Sequence, residues 1–139
     1  MFFRKEYAFL SNMYPAPLKI NGLYFSCSEA AYQSFKTTDK ELRKQFQFIS
    51  GPTAKKLGRK LQIRPDWDDI KLEVMEAVVR CKFNRHPELM KKLCEIKEPI
   101  REDNTWNDTY WGVCNNRGQN MLGIILMKIR DETDEDIPF

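Results

Sequence analysis

Pro65-Asp66-Trp67-Asp68-Asp69-Ile70-Lys71-Leu72-Glu73-Val74-Met75-Glu76-Ala77-Val78-Val79-Arg80-Cys81-Lys82-Phe83-Asn84 is the stretch on which the fold turns. Ile70, Val74, Ala77, Val78 and Cys81 recur at the spacing of one apolar stripe, which predicts a long helix with a single buried face. Downstream, Pro87 stands at a favoured first-turn position of a helix through Leu89, Met90, Leu93 and Cys94. Upstream, a short basic helix is expected over residues 53–60. Another is expected over 40–48, ended by Ser50-Gly51-Pro52. Earlier still, Ser26-x-x-Glu29 fits a capping box opening a helix through Ala30, Ala31, Tyr32, Phe35 and Lys36. Asn21-Gly22 between Leu18-Lys19-Ile20 and Leu23-Tyr24-Phe25 is a strong hairpin signal. Phe9-Leu10-Ser11-Asn12 and the proline-bearing segment to Pro17 read as loop. A last helix carries Met121, Leu122, Ile125, Leu126 and Ile129, ahead of an acidic tail over 131–139.

These elements predict a mainly α, single-domain orthogonal helical bundle of about six helices with a small N-terminal β-hairpin, spanning residues 1–139. A chain of this length buries a core without staples, and 42% hydrophobic and 31% charged residues describe a globular composition. Cys27, Cys81, Cys94 and Cys114 form no C-x-x-C pair, and with His86 as the one histidine they lack zinc-site spacing. Free thiols in a reducing compartment are expected. No leader pattern and no membrane-length apolar run is present, so a cytoplasmic protein is expected. Net charge is +3, but residues 40–64 hold eight basic residues against one acid, Glu41. Such a stretch suits phosphate-bearing ligands or nucleic acid, and equally a solvated helix face.

The irregular stretch over residues 97–118 is long for so small a chain, and function is expected there. His86 precedes Pro87 at a helix start and has no triad partners in sight. Neither a Walker nor a Rossmann glycine pattern is present. What remains is carboxylates and aromatics. Glu29, Gln33 and Lys36 share one helix face, presenting an acid, an amide and a base, although a capping role accounts for Glu29 as well. Asp108 lies in Trp106-Asn107-Asp108-Thr109-Tyr110-Trp111-Gly112, where an Asn-Asp turn and a stacking platform for a nucleobase are both open readings. Trp67 is open between core anchor and ligand lid.

In order and spacing, several segments together resemble the YbiA-like or NADAR family, from Phe9 to Arg130. They are Phe9-Leu10-Ser11-Asn12, Ser28-Glu29-Ala30-Ala31-Tyr32-Gln33-Ser34-Phe35-Lys36, Trp67-Asp68-Asp69-Ile70-Lys71 with Met75, and Lys82-Phe83. Asn107-Asp108-Thr109-Tyr110-Trp111-Gly112 and Asn120-Met121-Leu122-Gly123 with Leu126-Met127 complete the set. The resemblance implies a mainly α fold and hydrolysis of a ribosyl N-glycosidic bond. The substrate would be a phosphoribosylamino-pyrimidine intermediate of riboflavin synthesis or an ADP-ribosylated base in nucleic acid. It puts the catalytic acids at Glu29 and Asp108, with Trp67 and Trp111 lining the site. Asn12, Lys36, Lys71, Tyr110 and Asn120 would be further substrate contacts. One departure stands out: where the family has a glycine-rich turn after Trp-Gly, this chain has Val113-Cys114-Asn115-Asn116-Arg117.

Breaking a ribosyl C–N bond builds oxocarbenium-like charge on the sugar, so the site needs fixed negative charge, activated water and a proton donor for the leaving nitrogen. Two carboxylates divide such work in glycoside hydrolysis. No metal or redox cofactor is required. Two other classes use the same residues: a non-catalytic module that binds ADP-ribose or an NAD-derived nucleotide, and a nucleic-acid-binding protein acting through residues 40–64.

Overall fold

The computed structural model describes residues 1–135. A 3-10 helix over Lys5–Leu10 is followed by strands β1 (Leu18–Ile20) and β2 (Leu23–Phe25) and helices α1 (Ser28–Ser34), α2 (Lys40–Lys44) and α3 (Gly51–Gly58). Helices α4 (Trp67–Arg85), α5 (Pro87–Glu95) and α6 (Met121–Glu135) complete the order. The fold is mainly α with one small hairpin, as the periodicities predict. Its backbone packing divides into two compact units, Asn12–Arg85 and a second made of Met1–Ser11 with the chain from His86 onward.

In the Asn12–Arg85 unit, β1 and β2 pair antiparallel with Leu18 opposite Phe25 and Ile20 opposite Leu23. Asn21 and Gly22 take φ of 52° and 81°, the left-handed pair that a two-residue turn between right-twisted strands needs. Helix α1 packs against α2, α3, α4 and β2, and all seven of its residues are buried. Its close neighbour α3 comes near enough because Gly58 carries no side chain. A Cβ there would lie 2.0 Å from Oε1 of Gln33.

Four local expectations are corrected here. Residues 5–10 form a 3-10 helix that buries Phe9 and Leu10, so the segment read as loop is partly helical. The capping box does not form. Helix α1 starts at Ser28 with Cys27 at its N-cap and no side-chain cap, while Ser26 Oγ donates to the carbonyl of Ile49. Ser50-Gly51-Pro52, read as a stop, is a start: Ser50 Oγ accepts from Thr53 N at 3.2 Å, and Pro52 sits in the first turn of α3. Helix α2 accordingly ends at Lys44, short of the predicted Phe48.

The fourth correction concerns α4. Its buried residues are Trp67, Met75, Val78, Val79, Lys82 and Phe83. Of the predicted stripe only Val78 is buried, and Ala77 is exposed. Val74, Ala77, Val78 and Cys81 instead line an apolar cavity of about 330 Å³ together with Lys19, Ile20 and Phe35. The periodicity was a true helix signal, but a buried lysine on the core face hid which side faces inward.

In the second unit α5 packs on α6, burying Leu89, Leu93, Leu122, Ile125, Leu126 and Ile129. Arg130 Nη1 donates to the carbonyls of Ile96 (3.0 Å) and Glu98 (2.8 Å), fixing the chain as it leaves α5. Residues 131–135, expected as the start of an acidic tail, continue α6, and 136–139 lie outside the described residues. Among the described residues no helix is long and apolar enough to cross a membrane. The four cysteines are free thiols, Cys27 and Cys114 buried, Cys81 and Cys94 half-buried.

Candidate active site

Glu29 is 8% exposed and Gln33 4%. The backbone N–H of Glu29 donates to the carbonyl of Asn12 at 3.0 Å. A long-range loop carbonyl thus satisfies an amide at the start of α1. Its Oε1 accepts from Gln33 Nε2 at 2.9 Å. Asn12 is itself fixed: its Oδ1 accepts from Ser28 Oγ at 2.8 Å and its Nδ2 lies 3.3 Å from Met75 Sδ. The structure therefore buries Glu29 and Gln33 as a hydrogen-bonded pair and sets the half-buried Asn12 at the start of the same helix.

Lys36 lies one turn beyond Gln33 and is half-buried, with Nζ 5.9 Å from the centre of the Tyr32 ring. Burial lowers its pKa, the Glu29 carboxylate opposes that shift, and Lys55 and Arg59 add to it. Tyr32 in turn meets Trp67, ring centres 5.2 Å apart at 57°. Trp67 is 7% exposed, so it stands as a wall behind Tyr32 more than as an open lid. Arg64 ties this corner together: its N–H donates to the carbonyl of Lys36, and its guanidinium pairs with Asp66 at the start of α4. Lys71 sits one turn after Trp67 and is half-buried, with Nζ 3.5 Å from Asp68 Oδ1.

In the second unit the segment from Asn104 to Gly112 is a loop built on side-chain hydrogen bonds. Asp108 Oδ1 accepts from the N–H groups of Tyr110 (3.1 Å) and Trp111 (2.9 Å), so the Asx turn is real. Asn104 Oδ1 accepts from Asp108 N, and Asn104 Nδ2 donates to the Asp108 carbonyl at 2.8 Å. The carbonyls of Tyr110 and Trp111 then accept from the N–H groups of Met121 and Leu122, which caps α6. Asn120 sits at φ 55° between the two, its side chain bridging the carbonyl of Ile100 and the N–H of Glu102. Trp111 is half-buried and meets Tyr110 edge to face at 4.7 Å. Asp108, Tyr110, Trp111 and Asn120 are thus brought together.

The turn that departs from the family pattern keeps a tight-turn geometry. Cys114 and Arg117 exchange backbone hydrogen bonds of 2.9 and 3.0 Å across Asn115 and Asn116, which take φ of 53° and 62°. Asparagine tolerates the left-handed region, so the pair does what glycine would.

Two ionisable groups were not among the site residues read from the sequence, although Lys82 stands in the matching Lys82-Phe83 segment. Glu102 is 8% exposed and lies against Gly112 and Asn104. Burial, with help from Asp108 and Asp103, pushes its pKa up to about 7. Lys82 is 1% exposed near the rings of Tyr14 and Phe83, and burial brings its pKa down to about 7. Neither sits in a local pattern that announces it. Among the described residues no three His, Cys, Asp or Glu side chains gather to hold a metal ion.

Residues 1–133 match the NADAR domain. The N-glycosidase YbiA of Escherichia coli (strain K12) is 32% identical over 131 residues, covering 91% of this chain and 82% of that protein. The N-glycosidase Npun_R5314 of Nostoc punctiforme is 31% identical over 135 residues, covering 92% and 86%. The riboflavin biosynthesis protein VVA0006 of Vibrio vulnificus is 33% identical over 139 residues, which is 97% of this chain but 38% of that protein. The NMR structure of E. coli YbiA superposes with a TM-score of 0.84 at 30% identity, covering 98% of this chain and 85% of that one. With the domain match spanning nearly the whole chain and the fold shared, the chain belongs to the NADAR domain family.

Proposed function

We propose that this protein is an N-glycosidase that hydrolyses a ribosyl C–N bond, with Glu29 as its principal acid–base carboxylate. The observation that carries the reading is the state of Glu29. It is a buried carboxylate that accepts from Gln33, on a helix whose start is held by the carbonyl of Asn12. A carboxylate is buried at tolerable cost only where it is hydrogen-bonded and paired, and one held by Gln33 with the Lys36 ammonium within electrostatic reach suits a sugar developing positive charge. The names of the relatives support the reaction class.

In this reading Glu29 activates water or stabilises the oxocarbenium-like sugar. Lys36 supplies positive charge for a phosphate, and Tyr32 with Trp67 behind it forms an apolar wall. Asp108 is the second acid, its direction fixed by the two amides on Oδ1. Asn12 and Asn120 hold backbone in place, while Trp111, Tyr110 and Lys71 offer substrate contacts. The substrate is a phosphorylated ribosyl compound: a phosphoribosylamino-pyrimidine or an ADP-ribosylated base.

The position of Lys36, half-buried one turn beyond Gln33 and within electrostatic reach of Glu29, suggests a second route to the same products. After passing one proton to a neighbouring carboxylate, the Lys36 amine would attack C1′ as the bond to the base breaks, and the base leaves with the amine's second proton. Water then releases the sugar from the covalent adduct. Borohydride added during turnover would fix the ring-opened imine as a mass increment on Lys36, and an active enzyme that yields no such adduct excludes the route.

The deciding experiment is mass spectrometry of purified protein incubated with an ADP-ribosylated oligonucleotide, NAD and a phosphoribosylamino-pyrimidine. Release of free base from one of them, lost in Glu29→Gln, supports the glycosidase. Binding of ADP-ribose without any base release would favour a non-catalytic module instead.

A further inference from the structure

Phe48 is 77% exposed and Tyr24 50%, and the two rings stack at 6.3 Å with 15° between their planes. Phe48 has φ of 63°, a conformation that glycine or asparagine adopts readily and a bulky side chain rarely does. The chain therefore turns at a disfavoured residue and carries its ring out into solvent. Tyr24 is pinned beside it, because its N–H donates to Gln47 Oε1 at 3.1 Å while Gln47 N donates to the carbonyl of Lys44. Lys19 Nζ lies 5.0 Å from the centre of the Tyr24 ring.

The surroundings are cationic. Of the eight basic residues between positions 40 and 64, Arg43 donates to the carbonyl of Thr37 and Arg64 pairs with Asp66. Lys40, Lys44, Lys55, Lys56, Arg59 and Lys60 remain on α2, α3 and the turn that follows, where Glu41 next to Lys44 is the one acid. Helix α3 lies along α1: Gly51 at its start packs against Met13 and Cys27, Gly58 at its end against Gln33. Lys55 and Arg59 are close enough to Lys36 to disfavour its charge. A cationic track thus runs from α2, beside the Phe48 turn, along α3 to Gln33 and Lys36 at the C-terminal end of α1, where Gln33 holds the Glu29 carboxylate, within one compact unit.

We propose that Tyr24, Phe48 and the cations of α2 and α3 form a binding surface for single-stranded nucleic acid. Exposed aromatic faces take unstacked bases of any sequence, and the flanking ammonium and guanidinium groups take the phosphates between them. A duplex keeps its bases stacked on one another and cannot use the rings. A second copy of the chain is a poor occupant, since each copy would bring the same cluster of positive charge to the contact. Binding rests on this surface alone. That the strand is led toward Glu29 rests on the proposed reaction.

Fluorescence anisotropy of the full chain with a labelled, unmodified oligothymidylate tests it at 50 and 200 mM salt, about the range over which phosphate contacts show. Affinity should fall as salt rises and exceed that for a duplex of equal length. Tyr24→Ala combined with Phe48→Asn, which suits the left-handed backbone, should weaken binding about tenfold or more with the salt slope kept. Lys55→Ala with Lys56→Ala should instead flatten that slope, by roughly 0.7 for each lost contact. Tyr24→Ala alone serves if the double variant does not melt cooperatively. No binding at low salt, a preference for duplex, or unchanged affinity in the aromatic variant overturns the proposal, as does a dimer that the aromatic substitutions dissolve. An active glycosidase that ignores oligothymidylate would sink this surface and leave the reaction standing; binding without activity would do the reverse.

Discussion

Gln33 donates from Nε2 to Oε1 of Glu29 across 2.9 Å, one helical turn apart on a helix with no exposed residue. The pair orients a buried carboxylate by an acceptor atom that glutamine also has. Glu29→Gln should therefore fold, with a melting temperature within a few degrees of wild type, while turnover drops by roughly 10²–10⁴ fold, the scale of a lost acid–base group. Base release timed by mass spectrometry reads the effect. Wild-type turnover in a folded Glu29→Gln protein would remove Glu29 from the chemistry.

Asp108 calls for a paired comparison, because Oδ1 already serves the amides of Tyr110 and Trp111. Asp108→Asn keeps that acceptor and removes the charge, whereas Asp108→Ala removes both. The alanine variant should lose about 1–3 kcal/mol of stability from two orphaned amides. If the carboxylate acts in the reaction, asparagine should keep the stability and still lose turnover by about 10² fold or more. Asparagine at near-wild-type turnover would reduce Asp108 to its turn.

Features set by neighbouring residues were legible in the sequence, and those set by distant ones were not. Asn21-Gly22 announced a turn whose φ values any reader of glycine and asparagine expects, and Pro87 opened α5 where it stands. Ser26 and Glu29 had capping-box spacing, yet the carbonyls of Ile49 and Asn12 took over their polar groups from elsewhere in the fold. No local pattern can foresee such competition. The same holds for Lys82 and Glu102, charged residue types that read as surface until the packing buries them. Glu29 itself was singled out by its helix face with Gln33 and Lys36 and by the family segments, and that the Asn12 carbonyl holds its amide became visible only in three dimensions.

Gly112 shows how tightly the loop is built. A Cβ there would lie 1.5 Å from Glu102 Oε2, 2.4 Å from the Glu102 carbonyl oxygen and 2.7 Å from Asn104 Nδ2. One of these is backbone, so the obstruction is not relieved by a rotamer change. Gly112→Ala should cost about 1–3 kcal/mol by overpacking, seen as a melting temperature several degrees lower. An unaltered melting curve would mean that the segment from Ile100 to Asn104 moves freely, contrary to the hydrogen bonds Val113 N to Glu102 O and Asn104 N to Val113 O.

The same packing makes Glu102 a source of pH-dependent stability with a sign opposite to most carboxylates. Burial foremost, then Asp108 and Asp103, raise its pKa from 4.5 to about 7, against the Asn104 hydrogen bond and the N-terminal ammonium. Below pH 4.5 it is protonated both folded and unfolded, and it costs nothing. As pH rises toward 7 the unfolded chain releases this proton while the folded chain keeps it, so stability falls. Above that the loss is complete, on the order of 3 kcal/mol. Glu102→Gln keeps the shape and the acceptor for Asn104 but cannot ionise. Urea unfolding should find the variant gaining on wild type between pH 5 and pH 8, a span that brackets about one full titration. Parallel stability curves for the two proteins across that span would show that Glu102 ionises in the folded state as readily as in water, and that its contact with Gly112 and Asn104 does not exclude solvent.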